Sequence, residues 1–212
     1  PIREPQRVIA AFRADQVLMW NHAWPGLAIK DYINLSKELK DRWTFHFLPP
    51  TGGVGWRVNI NRKPFSDWRA SKAFYLAIDR KAVVDGWVFG YGREGAPFVP
   101  GTWMSAPDEE MWTWPGHRYV DAAGNPVKNP YDSDVPVFKD PRDVEEAKRL
   151  LAEAGYPDGI EDLKMIFSAS TEEGAFIVAD ALKNVGIKPD LYKPGSGGEW
   201  VKLVRTDQAF DI

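Results

Sequence analysis

His22, His46 and His117 are the only imidazoles in the 212-residue chain. They stand too far apart in sequence to pair as metal ligands at a recognisable spacing. His117 and Asp121 are four residues apart, but Pro115-Gly116 just ahead of them opposes a helix that would bring them to one face. Ser168 and Ser170 have no histidine at a nucleophile–base spacing. There is no cysteine, so thiolate nucleophiles, thiolate metal sites and disulfides are excluded together. Asp108-Glu109-Glu110 and Glu172-Glu173 are runs of adjacent carboxylates, the pattern of a solvated helix start rather than an acid–base pair. Thr51-Gly52-Gly53-Val54-Gly55 and Gly195-Ser196-Gly197-Gly198 lack the Lys-Ser/Thr of a phosphate-binding loop. No catalytic set assembles, and the residues read as a non-enzyme with neither metal nor cofactor.

What the chain has in excess is aromatic surface. It holds 10 Trp and 17 Pro, and six of the tryptophans (Trp56, Trp68, Trp87, Trp103, Trp112, Trp114) fall in one stretch. Lys and Arg number 27 against 30 Asp and Glu, a net charge of −3, which excludes the basic surface that nucleic acid selects and offers no polybasic membrane patch. The 44% hydrophobic content supports a packed core. No apolar run approaches the roughly 20 residues of a bilayer span. The opening Pro1-Ile2-Arg3-Glu4-Pro5 does not read as a secretory leader.

The elements that must position these residues follow from period and punctuation. A short helix is expected over Arg7–Ala14, with Val8, Ala11 and Phe12 on one face, then a buried strand over Val17–Trp20. Pro25-Gly26 breaks the chain before a helix over Leu27–Trp43. Strands over Thr44–Leu48 and Val54–Ile60 flank the Pro49–Gly53 turn cluster. Ser66 is the expected N-cap of a helix whose buried stripe is Ala70, Ala73, Phe74, Ala77 and Ile78, and Asp79 caps a second helix over Arg80–Phe89, closed by Gly90. Tyr91–Lys139 shows no sustained period, and an excursion of this length is usually functional. Asp140-Pro141 then opens a helix with Val144, Ala147, Leu151 and Ala154 inward and Gly155 as its stop. A strand over Leu163–Ser168, a helix over Glu172–Val185 and a strand over Ile187–Tyr192 make a right-handed βαβ unit with parallel strands. A turn over Pro194–Gly198 leads to a last helix, Glu199–Arg205, and to Ala209–Ile212, which reads as a strand just begun and suggests a piece of a longer chain.

Asn61-Arg62-Lys63-Pro64-Phe65-Ser66-Asp67-Trp68-Arg69, running into Ala73-Phe74-Tyr75-Leu76-Ala77-Ile78-Asp79-Arg80, resembles a signature of the bacterial extracellular solute-binding proteins of family 5. Asp140-Pro141 with Glu146-Ala147-Lys148-Arg149-Leu150-Leu151-Ala152-Glu153-Ala154-Gly155-Tyr156-Pro157 resembles a second, and Gly186-Ile187-Lys188 and Phe210-Asp211-Ile212 fall in the same order. The resemblance implies an α/β fold, a periplasmic-binding-protein-like lobe with a mixed sheet flanked by helices, truncated relative to a two-lobed parent. Residues 1–58 would be the end of lobe I and the hinge crossover, and 59–212 an incomplete lobe II. Family members are more than twice this length and begin with a secretion signal, often with a lipid-bearing cysteine. The Gly-x-x-Asp step usual before the first strand is irregular here, at Ala14-Asp15-Gln16-Val17.

The function implied is the substrate-binding component of an ABC importer, periplasmic or at the cell surface. It would be a monomer that captures a small solute, with peptide favoured, and hands it to permease subunits. Asn61, Asp79 and Arg80 read as turn and cap residues. The ligand candidates are aromatic: Trp200 and Trp103, which the resemblance places at or near the cleft, and Trp56, which lies in the presumed crossover strand. Arg205 offers a guanidinium to a ligand carboxylate. The alternatives are packing or solvated roles for these four side chains, and for the whole chain a stand-alone aromatic-rich carbohydrate-binding or interaction module, with a hydrolase last because no nucleophile–base pairing shows in the sequence.

Overall fold

The computed structural model describes residues 4–17, 27, 29–46, 55–95 and 102–212. The backbone divides into two compact units, Pro1–Pro49 and Pro50–Ile212.

The first unit contains α1 (Pro5–Arg13) and α2 (Ile29–Glu38). Val8, Ile9, Phe12, Leu27, Leu35 and Leu39 are buried together, and the Phe12 ring meets Trp43 edge-on with centroids 5.1 Å apart. Arg13 holds Glu38 with two N–H donors at 2.8 Å each, a bidentate but half-exposed pair. The helix expected over Leu27–Trp43 is thus shorter, because the chain turns after Glu38 to bring Trp43 onto Phe12. Residues 44–46 are irregular rather than strand, as is Val17. Residues 18–20, 47–48 and 49–53, where the other strand and turn readings fall, lie outside the described residues.

The second unit opens irregularly: residues 55–59 form no strand, and one backbone bond, Asn59 N–H to the Asp211 carbonyl at 2.9 Å, takes the place of a ladder. Two helices follow, α3 (Trp68–Ala77) and α4 (Arg80–Val88). The N-cap of α3 is Asp67 rather than Ser66, since the Asp67 carboxylate accepts the Arg69 N–H and also grips the Arg69 guanidinium. Asp79 caps α4 by accepting the Ala82 N–H, as its position predicts. α4 ends one residue early because Phe89 is already left-handed, at φ 52°.

The excursion before Asp140 contains elements that its composition hides: α5 (Asp108–Met111), and the antiparallel pair β1 (Tyr119–Val120) and β2 (Phe138–Lys139). α6 (Pro141–Glu153) is capped by Asp140, which accepts the Arg142 N–H. β3 (Ile160–Ile166), α7 (Glu172–Lys183) and β4 (Ile187–Tyr192) complete the frame, followed by α8 (Gly197–Val201) and a π-helical turn over Lys202–Thr206 where a continued α-helix was expected. β3 and β4 pair in parallel, Leu163 opposite Pro189 and Ile166 opposite Tyr192, with an irregularity between Ile160 and Leu163 where Asp162 is left-handed at φ 58°. At the start of the pair, Gly159 and Gly186 (φ 93° and 92°) touch backbone to backbone, and a Cβ on Gly159 would sit 2.3 Å from the Gly186 carbonyl oxygen. Neither position accepts a side chain.

The chain end adds a third row. The Ile212 N–H donates to the Lys164 carbonyl (3.1 Å) and its C=O accepts from Ile166 N–H (2.9 Å), the exchange of a parallel ladder, and the Ile212 side chain is buried. α3 packs on α6, and α7 on α4 and β4. Between them Phe65, Phe74, Leu76, Leu150, Leu151, Met165, Val178, Leu182 and Ile187 form one apolar core. Burial of each contributes about 1.5–3 kcal/mol. Leu182 is fully buried, so Leu182→Ala is expected to lower stability by about 2–5 kcal/mol. Urea denaturation should show a lower midpoint at unchanged slope; an unmoved midpoint would place Leu182 outside the cooperative core.

Candidate functional site

In open α/β sheets the strands end, at their carboxyl edge, in the loops that meet ligands. Here that edge follows Ile166 and Tyr192. Beyond β3, the Ser168 N–H donates to Thr171 Oγ1 (3.0 Å), and the Ser168 hydroxyl bonds to those of Ser170 (2.9 Å) and Thr171 (3.1 Å). These contacts cap the 3-10 turn Ala169–Thr171 that leads into α7. Beyond β4, Glu199 organises the turn: its Oε1 accepts the Tyr192 hydroxyl (2.6 Å), its Oε2 accepts Gly195 N–H (2.8 Å), and its own N–H donates to Ser196 Oγ (3.1 Å). The Tyr192 hydrogen bond holds the Glu199 carboxyl below its usual range and raises the Tyr192 phenol. Lys193 pairs with Glu172 across the edge at 2.7 Å.

α8 carries Trp200, half-buried, and the π-helical turn carries Arg205, exposed. A π turn is rare and concentrates at functional positions. It closes with Asp207 N–H on the Lys202 carbonyl (2.8 Å) and a left-handed Gln208 at φ 47°. Thus Trp200 and Arg205 share one helical segment leading from the carboxyl edge of β4. Trp103 stands elsewhere, 92% exposed in the turn after Thr102. Trp56 is half-buried: its ring meets Trp87 edge-on, centroids 6.0 Å apart, and lies so close over Gly174 that a Cβ there would be 2.9 Å from its Cη2. No hydrogen bond or ring contact joins any two of these four among the described residues.

Sequence reasoning passed over two polar groups. One is Asn59, which is buried; its Nδ2 donates to the Gln208 and Phe210 carbonyls (both 3.1 Å) and its Oδ1 accepts Asn61 N–H (3.1 Å). The turn chemistry expected of Asn61 is therefore supplied by Asn59. The other is a buried cluster in the Trp-rich excursion. Glu94 faces His117 Nδ1 (2.8 Å), and His117 Nε2 faces the Tyr75 hydroxyl (2.7 Å). Asp143, fully buried, accepts Gly116 N–H (2.8 Å) and pairs with Arg118 and with Lys139 (3.2 Å). Burial lowers both His117 and Lys139 from their ordinary values. His117 has Glu94, twenty-three residues upstream, as its partner rather than Asp121. No local spacing signals such a pair.

Comparisons with known proteins agree with this frame. The family model for bacterial extracellular solute-binding proteins, family 5 Middle, matches residues 1–212. The periplasmic oligopeptide-binding protein OppA of Escherichia coli is 25% identical over 223 aligned positions, covering all of this chain and 34% of that protein. The solved structure of the Escherichia coli murein tripeptide-binding protein MppA aligns with a TM-score of 0.63 at 22% identity, over 100% of this chain and 36% of that one. Haemophilus influenzae OppA, in complex with the peptide RPPGFSPFR, aligns at 0.59 and 21% identity, over 98% and 36%. The chain spans about a third of the length of these relatives.

The seating of Trp56 is testable. Gly174→Ala gains about 0.5–1 kcal/mol of helix propensity but forces a methyl into the Trp56–Trp87 contact, at about 1–3 kcal/mol. A net loss of stability is expected, shrinking in a Trp56→Ala background. Additive effects in a double-mutant cycle read by urea unfolding would show that the two residues do not touch. The chain belongs to the bacterial extracellular solute-binding proteins of family 5.

Proposed function

We propose that this chain is part of the substrate-binding component of an ABC importer, an extracytoplasmic monomer that captures a small solute, preferentially a peptide, between two lobes and delivers it to a membrane permease. In this reading residues 1–58 end lobe I and form the crossover, and residues 59–212 supply most of lobe II. The observation that carries the reading is the whole-length match to family 5. It is supported by a parallel pair beyond whose carboxyl edge one helical segment carries the aromatic Trp200 and the cationic Arg205. No described helix is long and apolar enough to cross a membrane.

Trp200 would face an apolar side chain of the guest and Arg205 a carboxylate, with Trp103 and Trp56 nearer the rim and the crossover. Capture is a population shift, in which the solute favours the closed state only as far as it binds that state more tightly. Of the described tryptophans, Trp68 and Trp103 are exposed and the rest are half-buried, a poorer fit to a sugar-stacking platform than to a lobe.

Isothermal titration of the full-length protein against a short-peptide mixture is expected to show micromolar or tighter binding, and residues 1–212 alone weak binding or none, because one cleft wall is largely missing. Trp200→Ala and Arg205→Ala in the full-length protein should each weaken binding by about tenfold, roughly 1.4 kcal/mol. Micromolar binding by residues 1–212 alone, or unchanged affinity in both variants, contradicts this assignment.

A further inference from the structure

Trp103 and Met104 are large apolar side chains held out in solvent, 92% and 46% exposed. An exposed ring contributes to binding only if its backbone is already fixed, since ordering it on contact costs affinity. The segment that bears them is fixed a few residues later. The Trp112 indole N–H donates to Glu94 Oε1 (3.1 Å) and His117 Nδ1 lies 2.8 Å from Glu94 Oε2, so one buried carboxylate takes two donors from the far side of the Trp103 turn. The Glu94 and His117 side chains are 2% and 1% exposed. Arg93 adds an ion pair with Asp108 at the start of α5, and Met111 is buried beneath it.

We propose that Glu94 is a positioning residue for solute capture: through Trp112 and His117 it fixes the segment over 102–117, and so sets where Trp103 and Met104 meet the guest. The role rests on the solute-binding reading above. The hold is sensitive to protons by construction. The groups around His117 are Tyr75 from α3, Arg80 from the start of α4, Glu94 itself, Lys139 from β2 and Asp143 from α6. Arg80 Nη1 and Lys139 Nζ both donate, at 2.6 Å, to the carbonyl of the adjoining Gly116. With Glu94 ionised, a neutral imidazole donates from Nδ1 and accepts the Tyr75 hydroxyl at Nε2, a tautomer assigned from these partners. Protonation converts Nε2 to a donor and adds a third cation beside Arg80 and Lys139.

Burial holds His117 below its ordinary 6.5. A depressed imidazole pKa stabilises the fold fully above the unfolded value, and that contribution is lost as pH falls below it. The anchor therefore loosens on acidification.

Amide hydrogen exchange of the full-length protein without ligand, corrected for intrinsic rates, tests the role at about pH 7.5 and pH 5.5. In the wild type, amides of 102–112 should exchange several-fold faster at the lower pH, with α6 and α7 unchanged. Glu94→Gln should be fast at both values. Trp112→Phe, which keeps the ring and removes one donor, should lie between. Equal protection of 102–112 in all variants, or acceleration spread evenly into α6 and α7, overturns the positioning role. In peptide titration, Glu94→Gln should cost about tenfold in affinity and add nothing further in a Trp103→Ala background; full additivity counts against it. Failure of the wild-type protein to bind any peptide strikes the solute reading instead, and the exchange result separates the two.

Discussion

Backbone polarity along β3 is the constraint from which the second unit follows. A two-stranded parallel pair leaves a row of N–H and C=O groups on each outer edge, and such groups are costly to bury unpaired. The edge away from β4 is met by the last residues: Asp211 and Ile212 donate to the Lys164 carbonyl, the Asp211 carboxylate accepts the Lys164 N–H, and Ile212 accepts from Ile166. That row needs a partner in turn, which is the Asn59 N–H on the Asp211 carbonyl, reinforced by the Asn59 side chain. Arg62 adds a weaker hold on Asp211, at 3.7 Å. Segments some 150 residues apart in sequence are thus locked side by side by a few hydrogen bonds around one buried amide. The same lock sets where the π-helical turn ends, and so where Arg205 and Trp200 are carried.

The long Trp- and Pro-rich excursion solves a different problem. It has little regular structure to satisfy its backbone, so buried charges do it instead. Gly116 shows the principle: its N–H goes to Asp143, and its C=O receives both Arg80 and Lys139. A buried carboxylate with several partners is held against desolvation by its hydrogen bonds, and removal of one partner leaves the others uncompensated. Tyr119, fully buried, accepts the Lys81 N–H with its hydroxyl, stitching β1 to α4. Among the described residues of the excursion, side-chain chemistry stands in place of a ladder.

What could be read in advance divides along the same line. Where one local signal determines the outcome, reading succeeds: Asp79 and Asp140 as caps, Ala147 and Leu151 at the centre of the α6 stripe (Val144 and Ala154 are only half-buried), Gly155 as the stop of α6 at φ 94°, and the parallel pairing of β3 with β4. Local grammar decides between neighbours less well, as at Asp67 against Ser66, where the winning cap also had Arg69 to pair with. Nothing in Lys202–Thr206 opposes an α-helix, so its π-helical form has no local signal; the turn is followed by the left-handed Gln208, whose carbonyl accepts from Asn59 Nδ2. Trp200 and Arg205 fall together in the helix expected over Glu199–Arg205, and α8 with the π-helical turn keeps them on one segment; their contact with a solute is part of the proposed function. Glu94, His117 and Asn59 carry no local signal, because their partners lie far away in sequence.

That asymmetry bears on what such a chain is for. Polar groups that a catalyst would leave open are here closed on each other: the Ser168–Ser170–Thr171 hydroxyls start a helix, Glu199 is spent on Tyr192 and Gly195, and His117 is enclosed between Glu94 and Tyr75. Among the exposed side chains are the Trp68 and Trp103 rings and the Arg205 guanidinium, which contribute through area and charge rather than proton transfer. Such a surface is consistent with the proposed capture of a guest. On the solute-binding proposal, selectivity depends on how firmly the exposed rings are held, so a residue such as Glu94 that does not touch the guest would still influence how well it fits.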